Sequence, residues 1–258
     1  MVAKLGDSDI HKILAGKYES VYKDKFYLAY QDYWNGLMVK FASENRNSYI
    51  LDYGCGVGRT LGFLLKRYDN VYGIDLSSDM LKVAFQENKD AKIAVSDAQT
   101  ICFKDQSFDT VICKSVLHHL AKPYKAVREL NRVLKKGGWL VVSEPCRDNL
   151  IWRRIGQLYV KASANFSDYH RVFHSEKLTG IIAQNGFEIQ NISYFGLMAF
   201  PLCATAYLFP IMQIIPFNSF FTKIMIRIDE ALMKVPLLKE FHWHIMIHSK
   251  KNLSMDVE

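Results

Sequence analysis

An α/β fold built on a doubly wound parallel sheet is predicted by three observations. Short apolar runs of strand length recur from residue 49 to residue 145, helical stretches lie between them, and a glycine turn joins the first strand directly to a helix. The turn is Gly54, Gly56 and Gly58 in Tyr49-Ile50-Leu51-Asp52-Tyr53-Gly54-Cys55-Gly56-Val57-Gly58, and the helix continues from Arg59-Thr60-Leu61. Strand, glycine turn and helix together bring backbone N–H groups and a helix N-terminus up to a ligand carrying negative charge.

The elements follow in order. Residues 1–47 read as an N-terminal helical cap, with a tyrosine-dense stretch over 17–30 and a helix over Trp34–Phe41. The second strand, Val71–Leu76, carries Asp75 at its end, about twenty residues after the glycines, where α/β nucleotide folds place the acid for ribose hydroxyls. Ser77 and Ser78 begin a hydroxyl-capped helix. The third strand, Ala91–Ala98, again has an acid, Asp97, at its C-terminal end; the fourth, Phe108–Lys114, runs into Ser115-Val116-Leu117-His118-His119-Leu120. An acid at one strand end can equally be a capped turn, and it is the ordered series that points to a ligand. Tyr124–Leu134 is amphipathic through Val127, Leu130, Val133 and Leu134, stops at Gly137-Gly138, and hands over to a fifth strand, Trp139–Pro145. The ligand site of such a sheet lies beyond the C-terminal strand edges.

After Pro145 a helix is expected over 149–164, another from Ser175 to near Gly186, and a sixth strand over Phe187–Tyr194. Residues 196–216 carry no charge, a length that raises the question of a membrane span. Pro201, Pro210 and Pro216 argue against one regular spanning helix. A broken apolar cover is expected instead, lining an acceptor pocket, touching a membrane surface, or forming an extra core layer or dimer seam. Residues 221–234 continue it as a basic amphipathic helix of the kind that suits a membrane interface. Phe241–His248 is the last strand.

Composition narrows the class. Of 258 residues, half are hydrophobic and 23% are charged, as in a folded chain able to bury a substantial core. Five cysteines without a Cys-x-x-Cys pair fit a reducing cytoplasm, and the first residues lack the apolar core of a secretory leader. The net charge of +7 would serve an acidic partner such as anionic lipid or nucleic acid.

Leu51–Gly58, Gly73–Ser77, Ser96-Asp97-Ala98, Phe108–Val111 and Val133–Gly138, in this order, resemble the motifs of class I S-adenosylmethionine (SAM)-dependent methyltransferases. The Leu117-His118-His119-Leu120 run is similar to that of small-molecule and ubiquinone/menaquinone-type members. The resemblance implies a Rossmann-like doubly wound sheet of seven strands, the last antiparallel, with a helical lid; the apolar helical insertion before the last strand departs from the common core, in which a short connection joins strands six and seven. The chain then divides into the cap (1–47), a SAM-binding core (48–195), the insertion (196–240) and the last strand with its tail (241–258). By the same resemblance Asp52, Gly54, Gly56 and Gly58 hold the methionyl part, Asp75 the ribose, and Asp97 with Ala98 the adenine. Leu76, Lys114 and Ser115 complete the cofactor-binding set, and S-adenosylhomocysteine is the product.

Methyl transfer from a sulfonium is an in-line displacement, so positioning carries most of it, and a base helps only where the acceptor must lose a proton. His118 and His170 are the candidate bases, with Arg171 beside the latter on the acceptor side. Tyr18, Tyr22, Tyr27 or Tyr30 could face the sulfonium, or simply pack their helix. No metal is expected, because His170, His174, His242 and His244 join no carboxylates at ligand spacing. The expected activity is methyl transfer to a small, apolar or lipid-linked acceptor of quinone or prenyl type, in the cytoplasm, with 196–240 as the candidate membrane contact. Two alternatives stand beside it. A nucleic-acid or other polar-acceptor methyltransferase would suit the charge but lacks an Asn-Pro-Pro-Tyr-like motif after strand four; a non-catalytic SAM-fold binding protein would more readily have lost the glycine turn or Asp75.

Overall fold

The computed structural model describes residues 24–146, 148, 173–204, 211–235, 238 and 241–253. The expected helix over 149–164, His170, Arg171, Tyr18 and Tyr22 lie outside the described residues.

Seven strands form one sheet: β1 (Tyr49–Tyr53), β2 (Asn70–Asp75), β3 (Lys92–Val95), β4 (Phe108–Lys114), β5 (Leu134–Pro145), β6 (Phe187–Phe195) and β7 (His244–Lys251). Their spatial order is β3-β2-β1-β4-β5-β7-β6. The first five run parallel, and β7 lies antiparallel between β5 and β6. The order reverses between β1 and β4, so their C-terminal ends open a crevice there.

Alternation along the strands fills two cores, one on each face. Ile50, Ile112, Val141 and Met246 face α1 (Lys25–Met38), α2 (Arg59–Leu65) and α3 (Ser78–Glu87). Their neighbours Leu51, Val111, Leu140, Val142, Ile245 and Ile247 face α4 (Pro123–Val133) and α5 (Ser175–Gln184). The insertion between β6 and β7 joins the first core: a π-helical turn, Phe200–Ala204, a short turn, Ile211–Ile214, and α6 (Asn218–Leu232) pack beside α1. Among the described residues no helix is long and apolar enough to cross a membrane.

Several boundaries differ from the sequence reading for identifiable reasons. The first helix among the described residues begins at Lys25 rather than Trp34, because Phe26, Tyr27, Tyr30, Trp34 and Met38 form one buried stripe. β5 starts at Leu134 and includes the two glycines; at Gly138 an ideal Cβ would sit 2.9 Å from Lys135 O and 3.0 Å from Asp109 O, so only glycine passes. β7 starts three residues later than expected and reaches Lys251, whose Nζ donates to Asn131 O at 2.7 Å and Leu134 O at 3.0 Å. Pairing on both sides buries these polar residues, which a search for apolar alternation passes over. β3 stops at Val95, leaving Asp97 in the following turn.

Candidate active site at the carboxyl edge of the sheet

The glycine turn is fixed by backbone bonds from Gly54 N and Cys55 N to Ile74 O, at 2.8 and 2.9 Å. Gly54 has φ +73°, and an ideal Cβ there would lie 2.4 Å from Val116 Cγ2, so the turn fits tightly under the loop after β4. Gly56 has φ +52°, but a Cβ at this position would meet nothing within 4 Å. The chain therefore leaves open space above Gly56. The Gly56 amide donates to Asp75 Oδ2 and the Ser77 amide to Asp75 Oδ1, both at 2.9 Å. Asp75 is thus clamped between the glycine turn and the start of α3, where Ser77 Oγ accepts from Met80 N as the expected cap.

Beneath this turn lies Asp52, only 2% exposed. Its Oδ2 is buried with no hydrogen-bond partner among the described residues. Burial pushes its carboxyl up to about 7, opposed by the Lys114 charge and assisted by Asp75. Burial likewise pushes the Lys114 ammonium down, opposed by Asp52 and Asp32. Lys114 Nζ donates to Gln31 Oε1 and Asn35 Oδ1, both at 2.7 Å, and lies 4.5 Å from the Trp34 ring centroid. Trp34 Nε1–H in turn donates to Ser143 Oγ at 2.9 Å. Helix α1 is thereby bolted to the ends of β4 and β5. Tyr27 and Tyr30, expected to pack or to face a sulfonium, belong to the buried stripe of α1, with the Tyr30 ring 6.2 Å from that of Phe200.

The other sequence candidates lie along the same edge. Leu76 follows Asp75 and is 69% exposed, a large apolar side chain left uncovered. Asp97 is exposed and accepts from Gln99 N at 2.7 Å, which closes a local turn. The Ala98 carbonyl accepts from Tyr53 Oη at 2.6 Å. Ser115 adopts φ +58°, in the left-handed region, and its amide donates to Ser143 O at 2.8 Å.

Glu144 was missed by the sequence reading. Its carboxylate is fully buried: Oε1 accepts from Val116 N at 2.9 Å and Leu117 N at 2.7 Å, and Oε2 meets His118 Nδ1 at 2.6 Å. It therefore sets both the loop after β4 and the orientation of the His118 ring. The available signal was an acid in the otherwise apolar run Trp139–Pro145, since an acid buried there needs dedicated donors. Gln31, Asn35 and Trp34 carried no comparable signal.

A second polar group lies past β5. Cys146, Asp148 and His242 bring one ligand-type atom each within 4.8 Å of the others, a proximity that spacing did not reveal. Burial alone would raise the Asp148 carboxyl, but bonds from Ser175 and His174 outweigh it and hold it at about 2. Asp148 accepts from Ser175 N at 3.0 Å, from Ser175 Oγ, and from His174 Nδ1 at 2.8 Å, so it anchors the start of α5. Burial lowers His242 to about 4 and His244 well below its ordinary value, so both rings are neutral near pH 7.

Comparison with known proteins agrees with this geometry. Residues 51–142, from β1 through most of β5, match the sequence model of a methyltransferase domain. Over these residues the chain is similar to a methyltransferase domain. Over 108 residues, 40% of this chain and 43% of that protein, it is 34% identical to the uncharacterized methyltransferase YcgJ of Bacillus subtilis. Over 177 residues, 60% of this chain and 77% of the relative, it is 28% identical to a demethylmenaquinone methyltransferase of Thermotoga maritima. A solved SAM-dependent methyltransferase of Thermotoga maritima shares the fold at a TM-score of 0.63 and 18% identity, covering 96% of this chain and all of that one. The chain spans 43% of the length of YcgJ and between 31% and 63% of three further curated relatives. The sheet has the seven strands and the antiparallel last strand that the resemblance implied, with Asp52 on β1, Asp75 at the end of β2 and Asp97 in the turn after β3.

Proposed function

We propose that this protein transfers a methyl group from SAM to a small apolar acceptor, lipid-linked and of quinone or prenyl type. The observation that carries the cofactor side is the buried Asp52 oxygen without a partner among the described residues, beneath a glycine turn that leaves space above Gly56. A buried, unsatisfied carboxylate oxygen is costly, and a cationic amine with hydrogen-bond donors satisfies it. The methionyl amine of SAM has that chemistry, so the residues present fit the cofactor.

Each residue then has a role set by its surroundings. Asp52 accepts from the methionyl amine, and Gly54, Gly56 and Gly58 let that end of the ligand lie on the backbone. Asp75, held rigid by two amides, turns its remaining lone pairs to the ribose hydroxyls. Leu76, Asp97 and Ala98 would hold the adenine. Lys114 and Ser115 close the site at the end of β4. SAM supplies a methyl group on a cationic sulfur, ready for in-line displacement.

On the acceptor side, His118 takes the proton that the acceptor must lose. With Nδ1–H donated to Glu144, the ring's basic lone pair is on Nε2, and the carboxylate stabilises the imidazolium that forms. His170, outside the described residues, remains the other candidate base. Segments 1–47 and 196–240 serve as cap and acceptor cover around the core of 48–195. An apolar acceptor is supported by the demethylmenaquinone relative.

Calorimetric titration with SAM and S-adenosylhomocysteine, followed by methyl transfer to a demethylated quinone, tests this reading. Saturable binding that weakens in Asp52→Asn is expected. Absence of binding by folded wild-type protein would refute it.

A further inference from the structure

α6 has two apolar faces, and only one of them is buried. Thr222, Ile226 and Asp229 turn inward, and the Asp229 carboxylate accepts from Met198 N and Ala199 N at 2.8–3.0 Å, pinning the helix to the π-helical turn. The opposite side exposes Phe217 (82%), Phe220 (62%), Phe221, Ile224 and Ile228. Counted from Phe217 these fall at steps of three, four, seven and eleven, which puts them on one stripe of a helix. Ile214, 82% exposed, extends the patch at the N-terminal end. Lys223, Arg227 and Lys234, all exposed, share a second stripe beside the first, and Glu230 is the one exposed acid within α6.

A contiguous apolar stripe of this kind on a soluble fold marks a contact surface rather than chance exposure. The neighbouring cations select the occupant. A row of Lys and Arg alongside Phe and Ile matches a bilayer with anionic headgroups, where rings and aliphatic chains enter the acyl boundary and the cations remain at phosphate depth. No described helix is long enough to span, so the contact is interfacial. The net charge of +7 adds long-range attraction in the same sense.

We infer that the exposed face of α6 is a docking surface for an anionic lipid bilayer. This deepens the reading of an apolar, lipid-linked acceptor, on which only its purpose rests. Docked by α6, the insertion that walls the acceptor side faces the membrane in which such an acceptor dissolves, while the buried face of α6 stays on α1.

The test is co-sedimentation of the full chain with phosphatidylcholine vesicles, with and without phosphatidylglycerol. Expected is binding to the anionic vesicles that weakens as salt is added and is abolished in Phe217→Glu/Phe220→Glu. Lys223→Gln or Arg227→Gln alone should lower the partition coefficient roughly fivefold. SAM titration of each variant must match wild type, which shows that the fold persists and separates failure of docking from failure of the methyltransferase reading. No binding to anionic vesicles, or equal binding by wild type and the Phe variant, overturns the inference. So does a stable dimer in light scattering that the Phe variant splits into monomers, since the stripe then seats a second copy of the chain.

Discussion

His118 Nδ1 lies 2.6 Å from Glu144 Oε2, and the same carboxylate holds the amides of Val116 and Leu117 through its other oxygen. One fully buried acid on β5 therefore sets both the backbone of the loop after β4 and the tautomer of the histidine on it. Glu144→Gln keeps a carbonyl on the two amides but puts an amide donor against Nδ1, which reverses the ring's tautomer and places the proton on Nε2, the nitrogen whose lone pair the base needs. For an acceptor that must lose a proton, kcat should fall by about 10²–10⁴-fold. The SAM dissociation constant should stay within about twofold, because the Gln carbonyl keeps the bonds to Val116 N and Leu117 N and leaves the loop against the glycine turn in place. Steady-state kinetics with parallel calorimetry check the split; equal losses in both would assign Glu144 a purely structural role.

Asp52→Asn removes the charge that faces the amine but keeps the shape. Affinity for SAM should drop by about 10–100-fold, the usual worth of one charge-assisted hydrogen bond. Isothermal titration reads this directly.

The same residue gives a pH dependence with a defined sign. Burial raises the Asp52 carboxyl to about 7, so below that pH the free protein holds it protonated and the amine meets a neutral acid. A proton must then leave on binding, and the SAM dissociation constant should rise about tenfold per pH unit below about 7 while flattening above it. Titration in buffers of different ionisation enthalpy should show proton release at pH 6, vanishing at pH 8 and absent in Asp52→Asn.

Gly54 and Gly56 should respond differently to the same added methyl group. Gly54→Ala meets Val116 at a left-handed backbone, costing about 2–4 kcal/mol of stability in denaturant unfolding. Gly56→Ala costs about 1–2 kcal/mol for backbone strain alone, since its Cβ enters open space. That space is where the ligand lies, so Gly56→Ala should weaken SAM binding in the folded fraction.

Trp34 joins α1 to both strand ends through Ser143 and Lys114. Trp34→Ala should destabilise the protein by about 3–5 kcal/mol. Trp34→Phe retains the ring face toward Lys114 but strands the Ser143 hydroxyl, at about 1–2 kcal/mol. Chemical denaturation of the three proteins separates the packing from the hydrogen bond.

The sequence by itself determined the order of elements, the glycine turn and the positions of Asp52, Asp75 and Asp97 at or just past strand ends. These depend on local rules: periodicity of two or 3.6 residues, glycine tolerance, and turn chemistry within a few positions. Boundaries failed where burial came from elsewhere, as at Lys251, hidden by α4 and β5 more than a hundred residues away in sequence. The same reason hid Glu144, whose partners lie 26 to 28 residues back, and the tie between Lys114 and α1 across 79 and 83 residues. For α6 the pattern showed an amphipathic helix but not which apolar stripe was buried, because Ile226 and Ile224 are equally apolar. Periodicity is a property of one segment; burial, orphaned polar atoms and shifted pKa values are set by neighbours that only the tertiary structure brings together.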